Sequence, residues 1–246
     1  MQTITIDGKW EKELILGEEF LKHLSDNNIK TVALFASVQF LALDTIRKQI
    51  TDAGITIKET KAKRTHAITQ ILGCDAYHDS YEEDVIGTSD ALIYIGDGMF
   101  HPKALLLAQI YKKEIKPVLI WNPIEGNLQI IDRKDIEKQI QKTKANLKRF
   151  VAAKTIGLMV TTKPGQSYIN SAYKLKAKLE KEGKKCYVFV DDTLNIQLLE
   201  NYPFIEAWIN TACPRIGTDD LTTIRPALIN IREAVDPIGH LEKFSH

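Results

Sequence analysis

Apolar residues fall along this chain in two arrangements, short unbroken runs and longer stretches with a 3.6-residue period. The runs include Thr31-Val32-Ala33-Leu34-Phe35-Ala36, Ala91-Leu92-Ile93-Tyr94-Ile95 and Lys116-Pro117-Val118-Leu119-Ile120-Trp121. Continuous apolar runs of this length predict strands buried on both faces, as in a parallel sheet covered by helices. Between them, Leu41, Leu43, Ile46, Ile50 and Ala53 form a helical stripe that stops at Gly54. Leu14, Phe20, Leu21 and Leu24 predict an earlier helix, with Glu18-Glu19 near its start, and residues 102–112 predict a later one. Residues 55–59 alternate as a strand, so the β-α-β order implies a right-handed crossover and parallel pairing. Residues 3–6 predict a short first strand, followed by a turn at Asp7-Gly8.

The pattern then repeats. Lys154-Thr155-Ile156-Gly157-Leu158-Met159-Val160 parallels the run from Lys30 to Ala36, and a helix over 168–182 (Ile169, Ala172, Leu175, Leu179) again stops at a glycine, Gly183. Residues 186–190 match 55–59, and residues 204–210 match the strand at 90–95, at offsets of about 114 to 131 residues. The fold class expected is therefore α/β, two repeated small modules with mainly parallel sheets. The first module is placed at 1–131 and the second at 153–246. They are joined by a charged connecting helix over 132–152, with Ile136, Ile140, Leu147, Phe150 and Val151 on one side. Arg225-Pro226-Ala227-Leu228-Ile229 predicts a last strand, and the polar end beyond it predicts no ordered element.

Composition narrows the function classes. The chain has 246 residues, 44% hydrophobic and 26% charged, with a formal net charge of +1. That balance gives no reason to expect a nucleic-acid or membrane surface and leaves a protein or small-molecule partner. No run reaches ~18 apolar residues, and the N-terminus lacks a basic-then-apolar layout, which together favour the cytoplasm. Three widely spaced cysteines do not make a disulfide framework; in a reducing compartment they are free thiols, core residues or metal ligands.

Ligands of open parallel sheets bind beyond the carboxyl ends of the strands. Gly96-Asp97-Gly98 and Ala212-Cys213-Pro214 fall at that edge, and Cys74 lies in the loop feeding the first of these strands. Thiolates select zinc, copper(I) or iron–sulfur clusters, and the absence of a C-x-x-C spacing disfavours a zinc knuckle. Each residue also has a plainer role. Cys186 opens a strand at the amino edge, where a small core hydrophobe is expected. His101-Pro102 suits a helix start, Asp219-Asp220 suits a cap, and a lone Gly-x-Gly is a weak nucleotide signal. Gln39, Arg64 and His66 either line a pocket or are solvated. There is no P-loop and no G-x-S-x-G elbow.

Taken together, Gly73-Cys74, the segment Asp90-Ala91-Leu92-Ile93-Tyr94-Ile95-Gly96-Asp97-Gly98-Met99-Phe100-His101-Pro102, and Thr211-Ala212-Cys213-Pro214-Arg215-Ile216 with Asp219-Asp220 closely resemble the diphthamide synthase family. These are the 2-(3-amino-3-carboxypropyl)histidine synthases, and the likeness spans roughly residues 28–230. The resemblance implies a 4Fe–4S cluster held by three cysteines, one from each of three repeated domains, with an open iron position for S-adenosylmethionine. It implies reductive release of a 3-amino-3-carboxypropyl radical, which adds to a histidine of translation elongation factor 2. In that scheme Cys74 and Cys213 are the metal ligands of the second and third domains. Gln39, Gly96, Asp97, Gly98, His101, Pro102 and Arg215 belong to the cofactor-binding set. The resemblance also implies an oligomer, and here the sequence departs from the pattern by carrying two modules. The third cysteine is then expected from a partner in a homo- or hetero-oligomer, or its place is taken by another ligand or by Cys186. The alternative is a non-catalytic accessory subunit without a complete cluster of its own.

Overall fold

A computed structural model describes residues 8–163, 165–219 and 225–244, so the expected strand at 3–6 lies outside the described residues. The chain forms two compact units, Met1–Ile110 with Glu114–Ile136, and Tyr111–Lys113 with Glu137–His246.

In the first unit the order is α1 (Glu18–Asp26), β1 (Thr31–Ala36), α2 (Asp44–Asp52), β2 (Thr56–Lys58), β3 (Ala91–Ile95), α3 (Phe100–Leu107), β4 (Val118–Asn122) and β5 (Asn127–Ile131). The sheet order is β2-β1-β3-β4-β5, parallel except for the β4–β5 hairpin. Val32, Leu34, Ile93 and Ile95 face the side filled by Phe20 and Leu24 of α1 and Ile46 and Ile50 of α2. The other face is buried as well: Phe35 packs on Tyr81 at 5.5 Å between ring centroids, and β3 is buried at all five positions. Two-sided burial is why β1, β3 and β4 read as unbroken apolar runs.

The second unit runs α4 (Glu137–Ala152), β6 (Thr155–Thr161), α5 (Ile169–Lys181), β7 (Lys185–Asp191), β8 (Ala207–Asn210), α6 (Ile216–Asp219), β9 (Ala227–Asn230), α7 (Ile231–Val235) and α8 (Pro237–Glu242). Its sheet is β7-β6-β8-β9, all parallel, and it repeats the order of the first four strands of the other sheet. The register repeats too, with Val32 opposite Ala91 and Ile156 opposite Ala207. Leu147 and Phe150 of the charged helix α4 are buried with Ala172, Leu175 and Leu179 of α5 in the core of this unit.

Two elements differ from the expectation. The polar end is ordered as α7 and α8: Asp236 caps α8 by accepting from Gly239 N, Ala234 is buried, and His240 packs on Tyr111 at 4.8 Å. The strand β5 was not expected, because Asn127-Leu128-Gln129-Ile130-Ile131 is half exposed and offers no apolar run. Among the described residues no helix is long and apolar enough to cross a membrane.

Candidate functional site

The route from β2 to β3, residues 59–90, places Cys74. This stretch is mostly irregular, yet its backbone docks on the end of β1. Ala36 N donates to Thr69 O at 2.9 Å and Ile71 N donates to Ala36 O at 3.1 Å. Thr69 takes a φ of +69° to make this docking and is fully buried. The chain is thus delivered to the carboxyl edge of the sheet, and Gly73-Cys74 follow there.

Asp75 then fixes the loop. Its buried carboxylate accepts from Leu72 N at 2.8 Å and pairs with Arg64 at 3.1 Å, while Arg64 also donates to the carbonyl of Cys74 at 2.8 Å. The Tyr81 hydroxyl donates to the Asp75 carbonyl at 2.9 Å, and burial, reinforced by Asp75 and Cys74, holds that phenol well above its ordinary range. Cys74 is half-buried and in no disulfide.

The turn after β3 meets this loop. A Cβ on Gly73 would lie 1.9 Å from a ring carbon of Phe100, so a glycine lets the loop sit against that ring at the start of α3. His101 stacks on Tyr94 at 6.3 Å and meets Phe100 edge-on at 5.6 Å. Gly98 has a φ of +66°, which a residue with a side chain adopts at a cost. Gly96 is buried, and a Cβ there would stand 2.5 Å from the Tyr94 hydroxyl oxygen. That hydroxyl is buried and makes no hydrogen bond of good geometry among the described residues. Burial pushes the phenol up to about 12, against a small opposing influence of the Ser37 hydroxyl. A buried donor without a hydrogen bond of good geometry, beside a side-chain-free backbone, is a place where a polar ligand group would be stabilised.

The remaining expected residues of the first unit stand at the same edge. Pro102 is buried in the first turn of α3, where its missing N–H costs nothing. Gln39 and Asp97 are both exposed and line a cavity of about 180 Å³ with Trp10, Phe40 and Ile124. That cavity opens where β1, β3 and β4 end, beside the switch in strand order between β1 and β3.

In the second unit Cys213 stands just beyond the carboxyl end of β8, half-buried. Its carbonyl accepts from Asn210 Nδ2 at 2.8 Å and from Ile216 N at 3.1 Å. Asn210 Nδ2 also reaches Asn230 Oδ1 at 2.7 Å, and Asn230 Nδ2 donates to the Pro214 carbonyl at 3.1 Å. This buried amide pair clamps the Cys213-Pro214 turn. The sequence reading missed it, and the only signal was that β8 and β9 both end in asparagine. A Cβ on Gly217 would come within 2.1 Å of Asn230 Oδ1, so the helix after the turn also depends on a glycine. Arg215 is buried and reaches Asp219 through Nε at 2.9 Å and Nη2 at 2.6 Å. Asp219 thus holds Arg215, while Asp220 lies outside the described residues. Cys186, by contrast, sits at the amino end of β7, paired with Ile156 and buried in the core. Burial, followed by the nearby Glu180, pushes its thiol up.

The comparisons with known proteins decide the family. The family model described as diphthamide synthesis protein matches residues 8–236. The chain belongs to that family. Relatives include a 2-(3-amino-3-carboxypropyl)histidine synthase of Pyrococcus horikoshii, 30% identical over 175 residues, which cover 71% of this chain and 47% of the relative. Subunit 1 of such a synthase from Schizosaccharomyces pombe is 30% identical over 206 residues, covering 81% and 44%. The crystal structure of Dph2 from Pyrococcus horikoshii with a 4Fe–4S cluster superposes with a TM-score of 0.69 at 25% identity, covering 91% of this chain and 62% of that one. The α/β class with mainly parallel sheets, expected from the apolar runs, is therefore that of a diphthamide synthesis protein. This chain spans about half the length of the curated relatives it matches.

Proposed function

We propose that this chain takes part in the first step of diphthamide biosynthesis, the transfer of a 3-amino-3-carboxypropyl group from S-adenosylmethionine to a histidine of translation elongation factor 2. Cys74 and Cys213 each supply one thiolate to a 4Fe–4S cluster. The observation that carries this reading is that both cysteines stand at a carboxyl edge, Cys74 on the loop before β3 and Cys213 on the turn after β8. Each is half-buried at the carboxyl edge of its own repeated sheet, on a turn held by buried polar groups.

The donor chemistry fits. Both thiols are outside disulfides, both loops are fixed through backbone carbonyls, and thiolate is the usual ligand of iron–sulfur clusters. Among the described residues no group of three or more His, Cys, Asp or Glu gathers to hold a metal, and in this reading a partner chain supplies the third thiolate. When bound, the cluster supplies the electron that cleaves S-adenosylmethionine. The protein's own share is positioning. Gly96 leaves room for the Tyr94 hydroxyl against the backbone, that hydroxyl is a buried donor, and Gln39 and Asp97 line the open side.

A second reading, an accessory subunit without a complete cluster, rests on the count of two edge thiols where three are implied. Mass spectrometry of elongation factor 2 separates the two. The factor is incubated anaerobically with the chain, its co-purifying partners, a reductant and S-adenosylmethionine. Addition of the aminocarboxypropyl mass to histidine, lost to background in Cys74→Ala and in Cys213→Ala, is the expected result. Modification that proceeds equally well with both variants would establish the accessory role.

A further inference from the structure

Cys74 and Cys213 both lie outside strands, where no ladder fixes the backbone. In the first unit side chains do this instead, and they close on two successive carbonyls. Arg64 Nη2 donates to the Cys74 carbonyl at 2.8 Å, and the Tyr81 hydroxyl donates to the Asp75 carbonyl at 2.9 Å. Both donors spring from one short pairing, in which Ala62 bridges to Tyr81 and Lys63 N donates to Ser80 O at 2.9 Å. The turn around the cysteine is closed as well. The Asp75 carboxylate accepts from Leu72 N at 2.8 Å, and Asp75 N donates to Leu72 O at 3.0 Å.

The second unit holds the same two carbonyls, that of the cysteine and that of the next residue, with different side chains. Asn210 Nδ2 donates to the Cys213 carbonyl at 2.8 Å, and Asn230 Nδ2 donates to the Pro214 carbonyl at 3.1 Å. Asn210 Oδ1 accepts in turn from Ala212 N at 3.0 Å, just before the cysteine. Repetition of the unit does not account for this match. Cys74 precedes β3 whereas Cys213 follows β8, and in strand register Asn210 and Asn230 stand where the first sheet has Tyr94 and Ile120. Two unrelated sets of donors therefore arrive at one arrangement, and what the two places share is the cysteine.

A cysteine sulfur is one torsion away from its backbone, so a fixed backbone confines it to three staggered positions. We propose that Arg64 and Tyr81 in one unit, and Asn210 and Asn230 in the other, are positioning residues that fix the backbone at Cys74 and Cys213 for iron ligation. This inference rests on the proposed ligation by both cysteines. A loop that is already ordered binds metal without the entropic cost of ordering it, and groups that orient a ligand carry much of a site's affinity. Cys186, the core thiol, has its backbone in the β6–β7 ladder opposite Ile156 and needs no such clamp.

Competition for iron tests the clamp. The full chain is reconstituted anaerobically with iron and sulfide in excess dithiothreitol and titrated with an iron chelator, and the EPR spectrum of the reduced cluster is recorded. Tyr81→Phe, which keeps the ring that packs on Phe35, Arg64→Met and Asn230→Ala are each expected to lower iron retention roughly tenfold or more and to alter the EPR line shape. Arg64→Lys keeps a donor for the Cys74 carbonyl and is expected to recover part of the loss. Gln109 provides the control: it is buried and holds Lys116 N and O ahead of β4, at the opposite edge of the sheet. Gln109→Leu is expected to lower the urea-unfolding free energy and leave both iron readings at the wild-type value. In the iron-free chain, amide exchange at Leu72 and Asp75 is expected to quicken in Tyr81→Phe and Arg64→Met, which carry the test if Asn230→Ala does not fold. Wild-type retention in the clamp variants, unchanged exchange in both, or an equal loss of iron in Gln109→Leu overturns the inference. A wild-type chain that retains no iron overturns instead the ligation on which the clamp depends.

Discussion

Tyr94 carries its hydroxyl into a buried space beside Gly96, and its titration reports on that space. Burial raises the folded-state value to about 12 from an unfolded value near 10. The folded state therefore keeps a proton that the unfolded chain gives up. The stability linked to this group is fully present below pH ~10 and is lost as the pH rises to ~12, at up to about 1.4 kcal/mol per pH unit. Tyr81, raised well above its ordinary range by burial, acts in the same direction. Tyr94→Phe is expected to reduce the loss of urea-unfolding free energy across that window while leaving the part due to Tyr81. A variant with the wild-type alkaline slope would show that the Tyr94 hydroxyl is not held in a buried site. Cys186 shows the same physics at a thiol: burial disfavours the thiolate, which suits a core residue and not a ligand.

At the scale of elements, the two sheets share a device that ties their third sequential strand to their first. Asp90, just before β3, accepts from Lys30 N and Thr31 N at the start of β1, at 3.0 and 2.9 Å. Glu206, just before β8, accepts from Lys154 N and Thr155 N at the start of β6. Both carboxyls are held below their ordinary values by these backbone donors. Their contribution is present above the unfolded carboxylate range near pH ~4 and is lost as the pH falls below it through the lowered folded-state values. The double variant Asp90→Asn/Glu206→Gln is expected to be less stable than wild type at neutral pH and to lose less stability on acidification. An unchanged acid slope would contradict this role. Local periods account for what the sequence made legible. The runs of β1, β3 and β6 and the glycine-stopped helices were readable because each obeys a local period, and the second copy confirmed the first. β5 was not, since a half-exposed edge strand has no such run. The docking of Thr69 and Ile71 on Ala36 and the Asn210–Asn230 clamp were hidden as well. Both join residues distant along the chain, and no pattern in a short window encodes them.

At the scale of the whole molecule, two copies of one α/β unit each present a half-buried thiol at the carboxyl edge, in a chain of the diphthamide synthesis family. Gly73 and Cys74 were singled out with the turn after β3 as one stretch of sequence, and the structure brings that loop and that turn into contact through Gly73 and Phe100. Cys186 shares the second sheet with Cys213 but lies at its other end, about three strand residues lower, or roughly 10 Å along the strand direction. The central claim is that Cys74 and Cys213, and not Cys186, bind iron. Anaerobic reconstitution with iron and sulfide in excess dithiothreitol, whose thiolates are able to occupy positions this chain leaves open, tests it directly. Iron and sulfide retained after desalting should fall to background in Cys74→Ala and in Cys213→Ala and stay at the wild-type level in Cys186→Ala. Retention in the first two variants equal to wild type, or its loss in Cys186→Ala alone, would contradict the account.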